Sequence, residues 1–339
     1  MSDHAPRQLV VKEVVKETAD AHSLVFEGPA LPYKAGQFLT LRIPSDREPT
    51  ARCYSLSSSP DVDDLLKVTI KRTVDGYASN WACDTISAGT TVEVLPPAGH
   101  FTPRDLGADL LLFAGGSGIT PVISIVKSAL KRGRGSLVLV YANRDEQSVI
   151  FRDELAALSA KHPDRLLVLH WLESVQGLPT AEQLARLVRP YADGREAFIC
   201  GPGPFMDGVT KALTSLGVPR PLVHVEKFVS LSGTTWGAPV ELVDDGGPTS
   251  TVHVELDGDA TELAWPPQSK LLDLLLAKGL DAPYSCRQGD CSACACKLLE
   301  GEVTMLSNNV LEKEDLDEGW ILACQSLPLT DVVKVSYDA

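Results

Sequence analysis

The stretch Cys286-Arg-Gln-Gly-Asp-Cys291-Ser-Ala-Cys294, followed much later by Cys324, decides how the rest of the chain is read. It is C-x4-C-x2-C with a distant fourth cysteine, the plant-type spacing for a [2Fe–2S] cluster. Soft, negatively charged thiolates suit iron. Zinc domains instead pair C-x2-C twice, and only one such pair occurs here. Cys286, Cys291, Cys294 and Cys324 are therefore the expected metal ligands. Gly289 and Ala293 are small enough to let backbone N–H groups point at the sulfurs, which tunes a cluster's potential. Cys296 lies two residues past Cys294 at a strand start and reads as a small buried hydrophobe. Cys53, Cys83 and Cys200 read as structural too. A cluster moves one electron at a time, so the chain handles electrons.

Working outward, 339 residues suggest two or three domains. Five of the eight cysteines fall between Cys286 and Cys324, a clustering that favours ligands over disulfides in a reducing compartment. The charge-free run Leu110–Val126 is broken by Gly115, Gly116, Gly118 and Pro121, so it reads as strand, turn and helix start rather than a membrane span. Met1-Ser-Asp-His-Ala-Pro-Arg lacks the features of a signal peptide, and the expectation is a cytoplasmic protein. Residues Thr251 to Ala339 carry 6 Lys and Arg against 16 Asp and Glu, a net −10, which leaves −4 of the total −14 for the remainder. This concentration argues against nucleic-acid binding. It favours a partner with a basic patch docking near the cluster.

Upstream the rhythm changes twice. Short strands separated by turn residues run from Gln8 to about Leu106, with a helix-like break at Ser79–Ile86, and predict an antiparallel flavin-binding barrel over residues 1–106. Alternating strand and helix signals then predict a parallel α/β domain over 107–229. Gly, Pro, Ser and Thr without periodicity mark a linker over 230–249. The cysteines occupy a small α+β domain over 250–339.

In the first segment, Arg52-Cys53-Tyr54-Ser55 offers what a flavin needs: charge for its phosphate, a flat partner and hydrogen-bonding groups. Arg52 and Tyr54 share one face of a strand. Gly76-Tyr-Ala78-Ser79 opens the lone helix, whose free N–H groups suit a phosphate. Gly99-His100-Phe101 offers an aromatic for an adenine. In the second segment, Gly115-Gly116-Ser-Gly118-Ile-Thr120-Pro121 follows a strand, as does Cys200-Gly201-Pro202-Gly-Pro-Phe205-Met206. Two glycine loops at strand C-termini describe a nucleotide crevice. Asn143-Arg144-Asp145 stands where the adenosine ribose would lie. Arg144 suits a 2′-phosphate, while Asp145 or Glu146 suits a free hydroxyl; the balance leans to NADH.

Together these motifs resemble the ferredoxin–NADP reductase superfamily in its oxygenase-reductase branch, over essentially the whole chain. Closer stretches resemble the reductase components of 3-ketosteroid 9α-hydroxylases. They include Val68-Thr-Ile-Lys71-Arg-Thr-Val-Asp-Gly76-Tyr-Ala78-Ser79-Asn-Trp and Asp315-Leu-Asp-Glu-Gly-Trp-Ile-Leu-Ala-Cys324. The resemblance implies FAD, NADH, a β-grasp ferredoxin domain and a separate Rieske-type oxygenase acting in steroid or cholesterol degradation. It places Lys71 among the cofactor-binding residues and Phe228 over the flavin ring, beside Tyr54 and Ser55. Ser292 departs from the glycine that ferredoxin loops often carry.

The expected reaction is a two-to-one electron transformation, in which NADH reduces FAD and single electrons leave through the cluster. Plant-type clusters lie near about −400 mV and Rieske centres between about −150 and +300 mV. A drop of about 250 mV favours transfer by about four decades at 59 mV each. The chain has no oxygenating site of its own. Competing readings are a reductase for a di-iron oxygenase, such as phenylacetyl-CoA epoxidase, and a non-catalytic redox sensor.

Overall fold

The computed structural model describes residues 6–29, 31–44, 50–228 and 249–339. The expected linker lies outside these residues except for its last position.

The first sheet comprises β1 (Arg7–Lys16), β2 (Ala21–Glu27), β3 (Phe38–Ile43), β4 (Thr50–Ser55), β5 (Leu66–Lys71) and β6 (Thr91–Ala98), with helix α1 (Tyr77–Thr85) inserted before β6. All its pairings are antiparallel, in the order β4-β3-β6-β1-β2-β5, and a bridge between Leu56 and Val68 joins the two ends. Leu39, Leu41 and Ile43 alternate along β3 into a core with Leu9, Val11, Leu24 and Phe26. A barrel strand ordinarily turns its other residues to water. Phe38 and Thr40 on that other face are nevertheless buried. Another domain covers them.

The second sheet comprises β7 (Leu110–Gly115), β8 (Leu137–Asn143), β9 (Leu166–Leu172), β10 (Glu196–Cys200) and β11 (Val223–Glu226). Between them run α2 (Ile119–Arg132), α3 (Arg152–Lys161), α4 (Glu173–Gln176), α5 (Ala181–Val188) and α6 (Gly203–Ser215). Every pairing is parallel, in the order β11-β10-β7-β8-β9. Helices cover both faces, so β7 is apolar throughout. Leu110, Leu112 and Ala114 enter one core and Leu111 and Phe113 the other. The order reverses between β7 and β10, which puts a ligand crevice at their C-terminal ends.

Barrel and nucleotide sheet are joined by polar contacts. Lys127 on α2 is 3% exposed and lies 2.7 Å from Asp63 of the barrel and 3.0 Å from Glu154 of α3. Ser124 donates to the Ser58 carbonyl at 2.6 Å, and the Ser59 and Ser128 hydroxyls are 2.7 Å apart.

The third sheet runs β13 (Asp259–Trp265), β12 (Ser250–Leu256), β18 (Val332–Ser336), β14 (Ala295–Glu300) and β16 (Trp320–Leu322). Beside it lie the ribbon β15 (Val303–Met305) with β17 (Ser326–Pro328), and helices α7 (Leu271–Ala277) and α8 (Lys313–Asp317). α7 presses four leucines, Leu271, Leu272, Leu274 and Leu275, onto Val252, Val254 and Trp265. The Trp265 indole donates to the Ser269 carbonyl at 2.6 Å. β13 has no counterpart among the strands expected from sequence, although Asp257-Gly258, both at positive φ (56° and 84°), is a hairpin-turn dipeptide. No helix among the described residues is long and apolar enough to cross a membrane.

Candidate functional site

The four cysteines come together. Cys286, Cys291, Cys294 and Cys324 are all buried, and none of the eight cysteines is in a disulfide. Hydrogen bonds from the thiols of Cys291 and Cys324, and from the backbone of Gln288 and Asp290, hold the Cys286 thiol far below its ordinary range. The same contacts push Cys291 and Cys324 up. Backbone amides aim at three of the sulfurs. Those of Gln288 and Asp290 reach Cys286 Sγ at 3.4 and 3.3 Å, that of Cys286 reaches Cys291 Sγ at 3.3 Å, and that of Cys324 reaches Cys294 Sγ at 3.4 Å. Gln325 adds a side-chain amide at 3.6 Å from Cys324 Sγ. Four converging sulfurs surrounded by donors fit an anionic [2Fe–2S] group. Gly289 is required for another reason besides size. It has φ +86°, and a Cβ there would lie 2.7 Å from the Ser307 carbonyl oxygen. Ser292, where a glycine was the expected residue, also has positive φ, 51°. Cys296 is fully buried, and burial raises its thiol well above the usual value, as expected of a packing residue.

The cluster loop rests on the flavin strand. Cys286, Cys291 and Ala293 pack with Phe38, Ala98, Ala51 and Cys53. This explains the burial of the outward face of β3. On β4, Arg52 donates to the Thr50 hydroxyl at 2.6 Å and the Ala51 carbonyl at 2.7 Å. Tyr54 packs against the barrel core, where burial raises its hydroxyl pKa. Ser55 is buried and faces a small cavity of about 40 Å³ lined also by Phe38, Cys53, Glu226, Phe228, Asp290 and Cys291. Phe228 is half exposed at its edge rather than part of a core. Glu226, just after which the nucleotide sheet ends, has its carboxyl pushed up to about 8 by desolvation.

At the phosphate end, Gly76 precedes α1 with neither a side-chain cap nor an acidic residue in the first turn, and Ala78 and Ser79 are buried. Ser79 Oγ accepts from the Thr73 amide at 3.0 Å. Lys71, at the end of β5, reaches towards the nucleotide domain, its Nζ 3.5 Å from where a Cβ on Gly116 would stand. The uncapped helix start, with Lys71 at the end of the preceding strand, fits a phosphate.

The two glycine loops meet at the crevice. A Cβ on Gly118 would come within 2.1 Å of the Cys200 carbonyl oxygen. Thr120 donates to the Ser117 carbonyl at 3.0 Å. α2 and α6 both begin without a side-chain cap or an acidic first turn. Asn143, at the tip of β8, is 7% exposed and its side chain lies beside the Tyr141 hydroxyl. Uncapped helix starts after two glycine loops fit a polar dinucleotide. Arg144 pairs with Asp20 of the barrel at 3.3 Å, and Asp145 turns back to accept from Ser148 at 2.9 and 2.8 Å. Phe205 and Met206 are buried in the nucleotide-domain core, with Pro202 against Gly115.

Within Gly99-His100-Phe101, Phe101 is 4% exposed and sits edge-on to Phe198, 5.2 Å between ring centres, against the nucleotide-domain core, while His100 is exposed. A cleft of about 1590 Å³ is lined by His100 and Phe101 of that stretch together with Arg220, Asp315, Trp320 and Tyr337.

Comparison with known proteins matches this arrangement domain by domain. The oxidoreductase FAD-binding domain family matches residues 8–102, the oxidoreductase NAD-binding domain family residues 112–211, and the 2Fe-2S iron-sulfur cluster binding domain family residues 254–329. The ferredoxin reductase component of 3-ketosteroid-9-alpha-monooxygenase from Rhodococcus rhodochrous is 59% identical over 97% of this chain and 96% of its own. The chain belongs to this reductase-component family. The reductase is also 37% identical to one component of the 1,2-phenylacetyl-CoA epoxidase of Escherichia coli K12, over 98% of this chain and 97% of the relative. Its fold matches phthalate dioxygenase reductase, with TM-score 0.61 and 24% identity over 98% of each chain. The reductase is an oxidoreductase with FAD, NAD and [2Fe–2S] domains, and it serves a separate oxygenase component.

Proposed function

We propose that this chain supplies electrons from NADH to a Rieske-type oxygenase that hydroxylates a 3-ketosteroid at carbon 9. The observation that carries the reading is the 59% identity to a steroid monooxygenase reductase, sustained across all three domains. When bound, nicotinamide, flavin and cluster supply hydride delivery, its division into single electrons and their onward carriage.

The chain's own residues hold and aim these groups. Gly116, Gly118, Thr120, Gly201 and Pro202 form the nucleotide crevice, with Asn143 at the tip of the neighbouring strand. Arg52, Lys71, Gly76 and Ser79 bind the flavin phosphates. Tyr54, Ser55 and Phe228 surround its ring. The four cysteines hold the iron. Arg144 is tied to Asp20 at 3.3 Å, which leaves it less free for a 2′-phosphate and supports NADH over NADPH. The acidic ferredoxin domain, with Glu314, Asp315, Asp317 and Glu318 on and beside α8, favours an oxygenase with a basic docking patch.

Reconstitution tests the reading: purified reductase, NADH, a Rieske oxygenase and a 3-ketosteroid are expected to yield the 9α-hydroxylated product. Failure there, with turnover restored by the oxygenase components of phenylacetyl-CoA epoxidase, would transfer the assignment to the second reading, which the 37% relative supports.

A further inference from the structure

We propose that Thr40, Cys53 and Ser285 form a latch that seats the cluster loop on the flavin strand and so positions the cluster to receive electrons. The proposal rests on the flavin and cluster assignments, and not on the identity of the oxygenase.

Thr40 and Cys53 are directly opposite in the β3–β4 ladder, so their side chains leave the same face. Ser285 immediately precedes the ligand Cys286. The Thr40 and Ser285 hydroxyls are 2.6 Å apart and both residues are buried. Cys53 Sγ lies 3.5 Å from each of those oxygens. Around this trio the seam is apolar, made by Phe38, Ala98 and Ala293. A hydroxyl in such a seam is costly unless paired, and the shortest contact of each hydroxyl, at 2.6 Å, is with the other domain. The bond therefore specifies one seating of the loop over others.

The alternation of β4 makes the arrangement economical. Arg52 and Tyr54 leave one face, while Cys53 and Ser55 leave the other. The side of β4 that carries Cys53 thus receives the cluster domain, and Ser55 on the same side lines the cavity between that domain and Phe228. A bound, hydride-reduced flavin would return to its oxidised form by losing one proton and two electrons singly; the cluster would take each electron in turn, one ferric iron becoming ferrous, and give it up to the oxygenase before receiving the next. The three residues exchange neither electrons nor protons. They are positioning residues.

The test uses the holoprotein with FAD and cluster bound. Ser285→Cys places a thiol facing Cys53, and diamide, taking up the two hydrogens, is expected to join the two as a disulfide. The readout is a cross-linked peptide pair and two fewer titratable thiols, with the cluster's EPR signal retained. NADH should then reduce flavin and cluster in the locked protein at least as fast as in the parent. Thr40→Val leaves the cluster loop untouched and serves as the second variant. Its flavin reduction by NADH and its EPR signal should stay at the parental level. Its flavin-to-cluster transfer should slow about tenfold, and amide exchange over 285–293 should accelerate, as for loss of one buried hydrogen bond. The proposal is overturned if no cross-link forms in EPR-intact Ser285→Cys protein, or if the locked protein no longer reduces its cluster. It is equally overturned if Thr40→Val keeps parental exchange and internal transfer.

Discussion

Gly115 and Gly201 stand backbone to backbone at the tips of neighbouring strands, so close that a Cβ on Gly201 would lie 2.9 Å from Gly115 Cα. The two loops hold each other as well as a ligand. Gly201→Ala should force them apart at an overpacking cost of about 1–3 kcal/mol. NADH-dependent flavin reduction should fall about tenfold or more, since 1.4 kcal/mol is about a decade in rate. The cluster's spectrum should be unchanged. Stopped-flow bleaching of the flavin measures the first outcome and EPR the second. Parental kinetics would mean the loops have room to give.

The cysteines divide by role. Cys291→Ser should abolish the [2Fe–2S] signal and electron delivery to the oxygenase, while NADH still reduces the flavin. Cys296→Ala should keep the cluster, because Cys296 is a buried packing residue and its loss leaves only a small cavity. Iron and sulfide analysis separates the two variants.

Lys127 is the buried tie between barrel and nucleotide domain, between Asp63 and Glu154. Its removal leaves Asp63 and Glu154 about one-third exposed, with Glu154 still 3.4 Å from Lys67, so the cost is that of lost charged hydrogen bonds, about 1.5–3 kcal/mol. Lys127→Met should lower the thermal transition of the flavin and nucleotide domains by several degrees. Calorimetry should show little change in a separate ferredoxin-domain transition if one is resolved.

Stability should depend on pH through Glu226. Desolvation raises its folded pKa from 4.5 to about 8, so over that interval the folded chain binds a proton that the unfolded chain has released. By linkage, this contribution is fully present below pH 4.5 and is lost as pH rises to about 8. Glu226→Gln should flatten the fall in melting temperature between pH 5 and pH 8. An unchanged slope would assign it to other groups.

Much of this molecule is legible in sequence because its signals are local. Cysteine spacing, two glycine loops after apolar strands and period-two alternation each act within a few residues. The flavin and nucleotide sheets accordingly form where predicted. What escapes is what depends on partners far along the chain. β13 is a polar, mostly exposed strand, with only Asp257-Gly258 to announce it. β15 and β17 are three residues each, too short for a period to emerge. The packing of Phe101 against Phe198, 97 positions further along the chain, carries no local signal either. The Thr40–Ser285 contact spans 245 positions, and neither residue carries a motif that names the other.

The seam has one more consequence. The ferredoxin domain supplies all four cysteines, but Phe38 and Ala98 of the barrel help shut Cys286 and Cys291 away from solvent. The barrel is therefore part of the shield from water around a cluster it does not ligate. The solvation of the iron–sulfur group, which helps set its potential, becomes a property of the joint between two domains.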